Sequence, residues 1–234
     1  MSKSFLRRSD PSAIVASLAA LLLCSVATTA SATRINAASD PALAGALVQD
    51  FDGEATGDFS SRTFTSGAYG FTVNGIGGDL QIDGAWCASF GTTGNCLGTN
   101  SAGGAHDDFD VIFSGSGVSA FGFDVTALDV DWTIETYDAS DVLLGTYTLS
   151  SQSPGLTGFD RRGYFGATES APIQYFTVRS AGDDWALIDN MAFVPAPEPS
   201  TTVLAGLGLI GLAMIGPSDR DRARRRARAA RTAD

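Results

Sequence analysis

The sequence predicts an all-β domain, an antiparallel β-sandwich of jelly-roll type, on three observations. Between residues 50 and 199 the apolar residues fall in short runs divided by Gly, Asp, Asn and Ser. Several of those runs alternate apolar and polar side chains, and none carries a long apolar series at helical spacing. Short strands without intervening helices argue against a parallel α/β sheet, and the lack of a fixed repeat argues against a propeller or solenoid.

In chain order, residues 1–32 stand outside that domain. Lys3, Arg7 and Arg8 precede the apolar run Ala13–Ala27, and Ala30-Ser31-Ala32 follows it. A basic start, a short apolar stretch and an A-x-A site make a secretory signal peptide, cleaved after Ala32 to leave Thr33 first. The run has 15 residues against the ~20 that cross a bilayer, so a retained anchor fits less well. Leu23 fits poorly before a lipidated Cys24, and Arg7-Arg8 alone is a weak sign of twin-arginine export. Residues 33–49 are Ala-rich and mildly polar, and read as a flexible lead-in or a short helix.

The domain itself is assigned to residues 50–195. Its candidate strands are Tyr69–Val73, Leu80–Ile82, Phe109–Phe113, Ala120–Val125 and Trp132–Tyr137, then Val142–Leu149, Gly163–Phe165, Ile173–Val178 and Trp185–Val194. Phe121, Phe123 and Val125 share one face, with Ala120, Gly122 and Asp124 on the other. Gly84–Ala105 holds six glycines and is the least regular stretch, a long loop. Cys87 and Cys96 flank Ala88–Asn95 within it. Two cysteines in an exported domain form a disulfide; a redox pair would show the tighter C-x-x-C spacing.

Charge narrows the partners. Thr33–Pro199 carries five arginines, no lysine and 22 acidic residues, a net −17. Such a domain repels phosphate backbones, which excludes nucleic acid. The absence of lysine rules out lysine nucleophiles and phosphate-binding P-loops. His106-Asp107-Asp108-Phe109-Asp110 is the densest polar cluster, and reads more readily as a turn entering a strand than as a metal site. No G-x-S-x-G motif accompanies that single histidine.

Residues 196–234 change character again. Pro195, Pro197 and Pro199 cannot donate to a sheet ladder, so the sandwich ends there. Thr202–Gly216 follows without a charge, a short transmembrane helix, and then seven arginines from Arg220 to Arg231 that the positive-inside rule keeps cytoplasmic. Pro197-Glu198-Pro199, a short apolar helix and a terminal arginine cluster together resemble the PEP-CTERM sorting signal of Gram-negative bacteria. Pro217-Ser218-Asp219 before the arginines and the Ala-mixed basic tail depart from that pattern. The resemblance implies recognition by a membrane-embedded exosortase, with processing near Pro197, Glu198 and Pro199. Val118–Asp124, Val142–Leu149, Gly163–Gly166 and Ile188–Phe193 are also similar to β-sandwich ectodomains of that family.

A second resemblance is to jelly-roll carbohydrate-binding modules. Asp50-Phe51-Asp52-Gly53 and Leu187-Ile188-Asp189-Asn190 resemble the two strands that hold a structural calcium there, which makes Asp50, Asp52 and Asp189 the candidate ligands. The plainer reading is turn and strand-end aspartates facing water. Among Trp86, Trp132, Trp185, Tyr69, Tyr137 and Tyr164, the sugar-stacking candidate is Trp86 in the Gly-rich loop; Trp132 and Trp185 start strands and suit a core. These readings describe a non-catalytic exported surface or matrix protein, a candidate binder of extracellular polysaccharide. The alternative is a secreted hydrolase acting on such a polymer through two of its many acids.

Overall fold

A period of two along the chain turns large side chains to one side of each strand, and here the large side chains are mostly phenylalanine. The computed structural model describes residues 32–99, 108–150, 156–157, 162–182 and 186–198. The expected signal peptide with Cys24, His106, Trp185, Pro199, the apolar segment 202–216 and the arginine tail lie outside the described residues. Among the described residues no helix is long and apolar enough to cross a membrane.

The strands run β1 (Thr33–Ile35), β2 (Leu47–Gln49), β3 (Gly57–Phe59), β4 (Ser61–Ser66), β5 (Tyr69–Ile76), β6 (Leu80–Asp83), β7 (Cys96–Thr99) and β8 (Asp108–Phe113). They continue as β9 (Val118–Thr126), β10 (Trp132–Tyr137), β11 (Leu143–Leu149), β12 (Leu156–Thr157), β13 (Arg162–Ile173), β14 (Tyr175–Ser180) and β15 (Leu187–Pro195). One nine-stranded sheet has the order β1-β13-β9-β15-β7-β6-β3, with β12 beside β13 and β2 beside β15. The other has six strands in the order β11-β10-β14-β8-β5-β4. Every pairing is antiparallel, and from β8 to β15 the chain passes repeatedly between the sheets. The all-β sandwich is therefore what forms.

The sheets meet through one aromatic core. Phe121 and Phe123 of β9 and Phe193 of β15 face Phe71, Phe113, Phe176 and Trp132 of the six-stranded sheet, each at most 2% exposed. Phe121 stacks on Phe176 with centroids 4.3 Å apart and planes 4° from parallel. Each such side chain contributes roughly 1.5–3 kcal/mol by burial. Glu169 is the exception: it points inward from β13, and its Oε1 accepts hydrogen bonds from Thr136 Oγ1 at 2.6 Å and Tyr147 Oη at 2.8 Å.

Several elements differ from expectation. Residues 33–49 are part of the sandwich: β1 pairs with β13, a 3₁₀ turn (Pro41–Leu43) capped by Asp40 follows, and β2 pairs with β15. Between those pairings the segment crosses the outer face of the nine-stranded sheet, where Ile35 and Leu43 pack on Ala120, Tyr164 and Ala192. The Gly84–Ala105 loop contains a short helix α1 (Ala85–Ser89) and strand β7. β13 extends far past the expected Gly163–Phe165, and Gln174 separates it from β14. β15 stops at Pro195, and Pro197 and Glu198 beyond it are exposed.

Candidate functional site

The roofed face of the nine-stranded sheet carries an open cleft. Asn36–Ala38 of the crossing segment form one wall, Phe90–Thr93 form the other, and Asp124, Tyr164 and Asp189 form the floor of a cleft of about 530 Å³. Register makes the floor: Asp124 on β9 stands opposite Tyr164 on β13 and opposite Asp189 on β15. A β-bulge follows Asp189, with three steps on β15 against two on β9. Asn190, in the bulge, has φ 49° and turns its Nδ2 to donate to Asp124 Oδ2 at 2.9 Å. Asparagine tolerates that left-handed backbone better than most residues.

The electrostatics of this floor are unfavourable. Burial pushes the Asp124 carboxyl above the usual range, against the hydrogen bond from Asn190. Burial also pushes Asp189 up to about 6, reinforced by the charges of Asp124, Asp52 and Asp50 and opposed by the Asn190 amide. Tyr164 is raised by burial and by the charges of Asp124 and Asp40. Shifted titratable groups gathered in a concave site make it a candidate functional site.

The expected calcium ligands are placed near one another in charge but do not form a calcium site. Asp50 Oδ1 accepts from the Asp52 amide at 3.2 Å, and Asp52 Oδ1 accepts from the Asn95 amide at 2.9 Å. Asp189 Oδ1 accepts from the Asn190 amide at 2.7 Å. Among the described residues no three Asp, Glu, His or Cys side chains could hold a metal ion, where calcium takes six to eight oxygens. Asp52 acts as a tether for the disulfide loop, and Gly94 (φ 79°) is required beside it because a Cβ there would collide with the Asp52 carboxylate.

Cys87 in α1 and Cys96 at the start of β7 are bonded, with Cα atoms 5.9 Å apart. Trp86 is 47% exposed, in a helix whose first amides donate to Asp83 Oδ1, and it lines neither cleft described here. Trp132 is in the core.

The outer face of the six-stranded sheet is open and ordered in rows. Register aligns Leu143, Tyr137, Tyr175 and Ile112 across β11, β10, β14 and β8, followed by Thr72 and Thr63. Tyr137 and Tyr175 stack with centroids 4.7 Å apart and planes 7° from parallel. Tyr137 Oη donates to Glu135 Oε2 at 2.7 Å, a bond that pushes its hydroxyl up to about 12, and Tyr175 Oη donates to Asp141 Oδ1 at 3.2 Å. Ile112, Thr63 and Thr72 also line a groove of about 360 Å³. The neighbouring row is polar: Glu135, Thr177, Asp110, Asn74 and Ser61 stand opposite one another on successive strands. Tyr137 was legible as an aromatic candidate; Tyr175 was findable only from its place on the polar face of its strand.

No protein-family model matches the chain, and no curated protein matches it. Among solved structures the chain is similar to the K1 cleaved adhesin domain of Lys-gingipain from Porphyromonas gingivalis W83. That match has 13% identity, a TM-score of 0.39, and covers 65% of this chain and 99% of that one. TmCBM61, solved in complex with beta-1,4-galactotriose, has 13% identity, a TM-score of 0.32, and coverage of 54% and 88%. CBM28, a carbohydrate-binding module specific for non-crystalline cellulose, has 12% identity, a TM-score of 0.31, and coverage of 49% and 79%. Likeness at this level carries no argument about what the chain binds.

Proposed function

We propose that the chain is an exported, non-catalytic surface protein that binds a glycan on the open face of its six-stranded sheet. One observation carries the reading: a row of Leu143, Tyr137, Tyr175 and Ile112 lies beside a row of acid, amide and hydroxyl side chains. A sugar chain has apolar ring faces and hydroxyl edges, and a binding site for it combines apolar or aromatic surface with a few placed polar groups. Four strands span about 14 Å at the usual strand spacing, the reach of a short oligosaccharide. The signal peptide would deliver the domain, and the tail from Pro197-Glu198-Pro199 through the arginines would hand it to an exosortase in the membrane.

Binding of neutral polysaccharides in affinity gels tests the first part. Tyr175→Ala should weaken retention roughly tenfold, as loss of an aromatic anchor does, and retention equal to the parent's would refute the site. Mass spectrometry of the mature C-terminus in the native host tests the second part: an intact Arg231 in the exported protein would refute tail processing. The competing hydrolase reading is favoured only by the shifted Asp124 and Asp189 in the cleft. It requires release of soluble products from a polymer, which the binding reading forbids.

A further inference from the structure

The cleft on the other sheet carries a separate chemistry, independent of the open-face reading. Asp124 and Asp189 stand side by side on its floor, and no described lysine or arginine lines it. Of the arginines whose side chains are described, Arg34 lies over the Phe165 ring, Arg62 pairs with Glu54, and Arg179 pairs with Asp110. Asn190 gives each carboxylate one hydrogen bond, at 2.9 Å to Asp124 and 2.7 Å to Asp189. An ionised carboxylate accepts about four, so acceptor capacity remains. Neighbouring carboxylates, Asp189 buried and Asp124 half-buried, with no counter-cation among the described side chains are costly, and a bound cation would offset that cost.

Tyr164 is the second, independent observation. It is 5% exposed, it lines the same cleft, and its hydroxyl has no hydrogen-bond partner among the described residues. The ring is held over Gly122, where a Cβ would approach Oη to 2.5 Å. Buried hydroxyls are nearly always paired, so this donor is left for an acceptor that the described residues do not supply. The ligand must therefore bring both a positive charge and an oxygen. The walls add Thr92 and Thr93 hydroxyls and the Phe90 ring, and the volume of about 530 Å³ suits a ring-sized ligand better than a bare ion.

We propose that this cleft binds an amino sugar bearing a free amine, its ammonium held by Asp124 and Asp189 and a ring oxygen or hydroxyl accepting from Tyr164. The net −17 of residues 33–199 favours approach of an amine-bearing glycan and repels a uronate-bearing one.

Titration calorimetry on the full chain in detergent, with a glucosamine trimer, an N-acetylglucosamine trimer and Nα-acetyl-lysine amide, tests the assignment. The free-amine trimer should bind saturably, and N-acetylation or Asp124→Asn should weaken it roughly tenfold or more, the size of one charge-assisted hydrogen bond. Tyr164→Phe keeps the ring, removes only the donor, and should weaken it about threefold to tenfold. Tyr175→Ala should leave this binding unchanged, which separates a failure here from a failure of the open face. Equal binding of the two trimers, or indifference to Asp124→Asn, overturns the proposal. Acetyl-lysine amide binding as tightly as the amine trimer would also overturn it, in favour of a protein partner. If Asp124→Asn does not fold, the comparison of ligands on the unaltered chain still decides.

Discussion

Asp189→Asn measures how hard the fold works against charge in the cleft. Asp189 is 3% exposed, and its carboxyl is pushed up to about 6 by burial first and by Asp124, Asp52 and Asp50 after it, with the Asn190 amide opposing. An aspartate in the unfolded chain titrates near ~3.9. Between about pH 4 and pH 6 the native state thus holds more protons than the unfolded state, so stability falls as pH rises through that window. A gap of about two pH units sets a ceiling near ~3 kcal/mol on the destabilisation present above pH 6. Asparagine keeps an oxygen for the Asn190 amide and loses the charge. The variant should equal the parent at pH 4 and exceed it by about 1.5–3 kcal/mol at pH 7.5. For a domain of this size that raises Tm by about 4–9 °C. Urea midpoints for both chains at pH 4, 5, 6 and 7.5 give the curve. A gain that does not vary with pH, or a loss at pH 7.5, refutes the reasoning.

Three further outcomes follow from the packing. Replacing Cys87 and Cys96 by serine should cost about 2–3 kcal/mol, the entropy of opening so short a loop, read as a lower urea midpoint matched by the reduced parent. Phe176→Ala removes the ring stacked on Phe121 and should cost about 3–5 kcal/mol; a loss below ~1 kcal/mol in chemical denaturation would show that the sheets are not joined there. Gly122→Ala drives a Cβ against Tyr164, 2.5 Å from Oη and 2.6 Å from Cε1, and should cost about 1–3 kcal/mol with a change in near-ultraviolet circular dichroism. An unchanged spectrum would mean the ring does not lie over that glycine.

Residues whose neighbours in sequence carry the signal were the legible ones. Trp132–Tyr137 alternates cleanly and forms the strand its pattern predicts. The disulfide followed from two cysteines in a chain expected to be exported. β13 was shortened because Gly166, Ser170, Ala171 and Pro172 have poor strand propensity, which β9 and β1 on either side override by pairing. β1 and β2 are three residues each and exist only as additions to existing strands, so no local pattern announces them. Asp189 was found, but Asp124 was not, since its role comes from register with a strand some 65 residues later. The expected calcium ligands do not converge among the described residues, and Asp52 accepts instead from the amide of Asn95, 43 residues away.

What makes the two faces differ is side-chain size, and this decides what each can hold. On the nine-stranded sheet the outward positions Ala120, Gly122 and Ala192 are small, so residues 36–46 can lie across them and Tyr164 can fold down onto Gly122. On the six-stranded sheet the outward positions include Leu143, Tyr137, Tyr175, Ile112, Glu135 and Asp110, larger side chains that stand up from the strands. A polymer can therefore lie along the second face but can enter the first only by an end or a branch, between Asn36–Ala38 and Phe90–Thr93. Burial is the leading cause of the upward shifts of Asp124 and Asp189, and the crossing segment is one wall of the cleft that holds them. Roof and charge are thus coupled: the walls that limit access to the cleft also limit how far water screens its carboxylates.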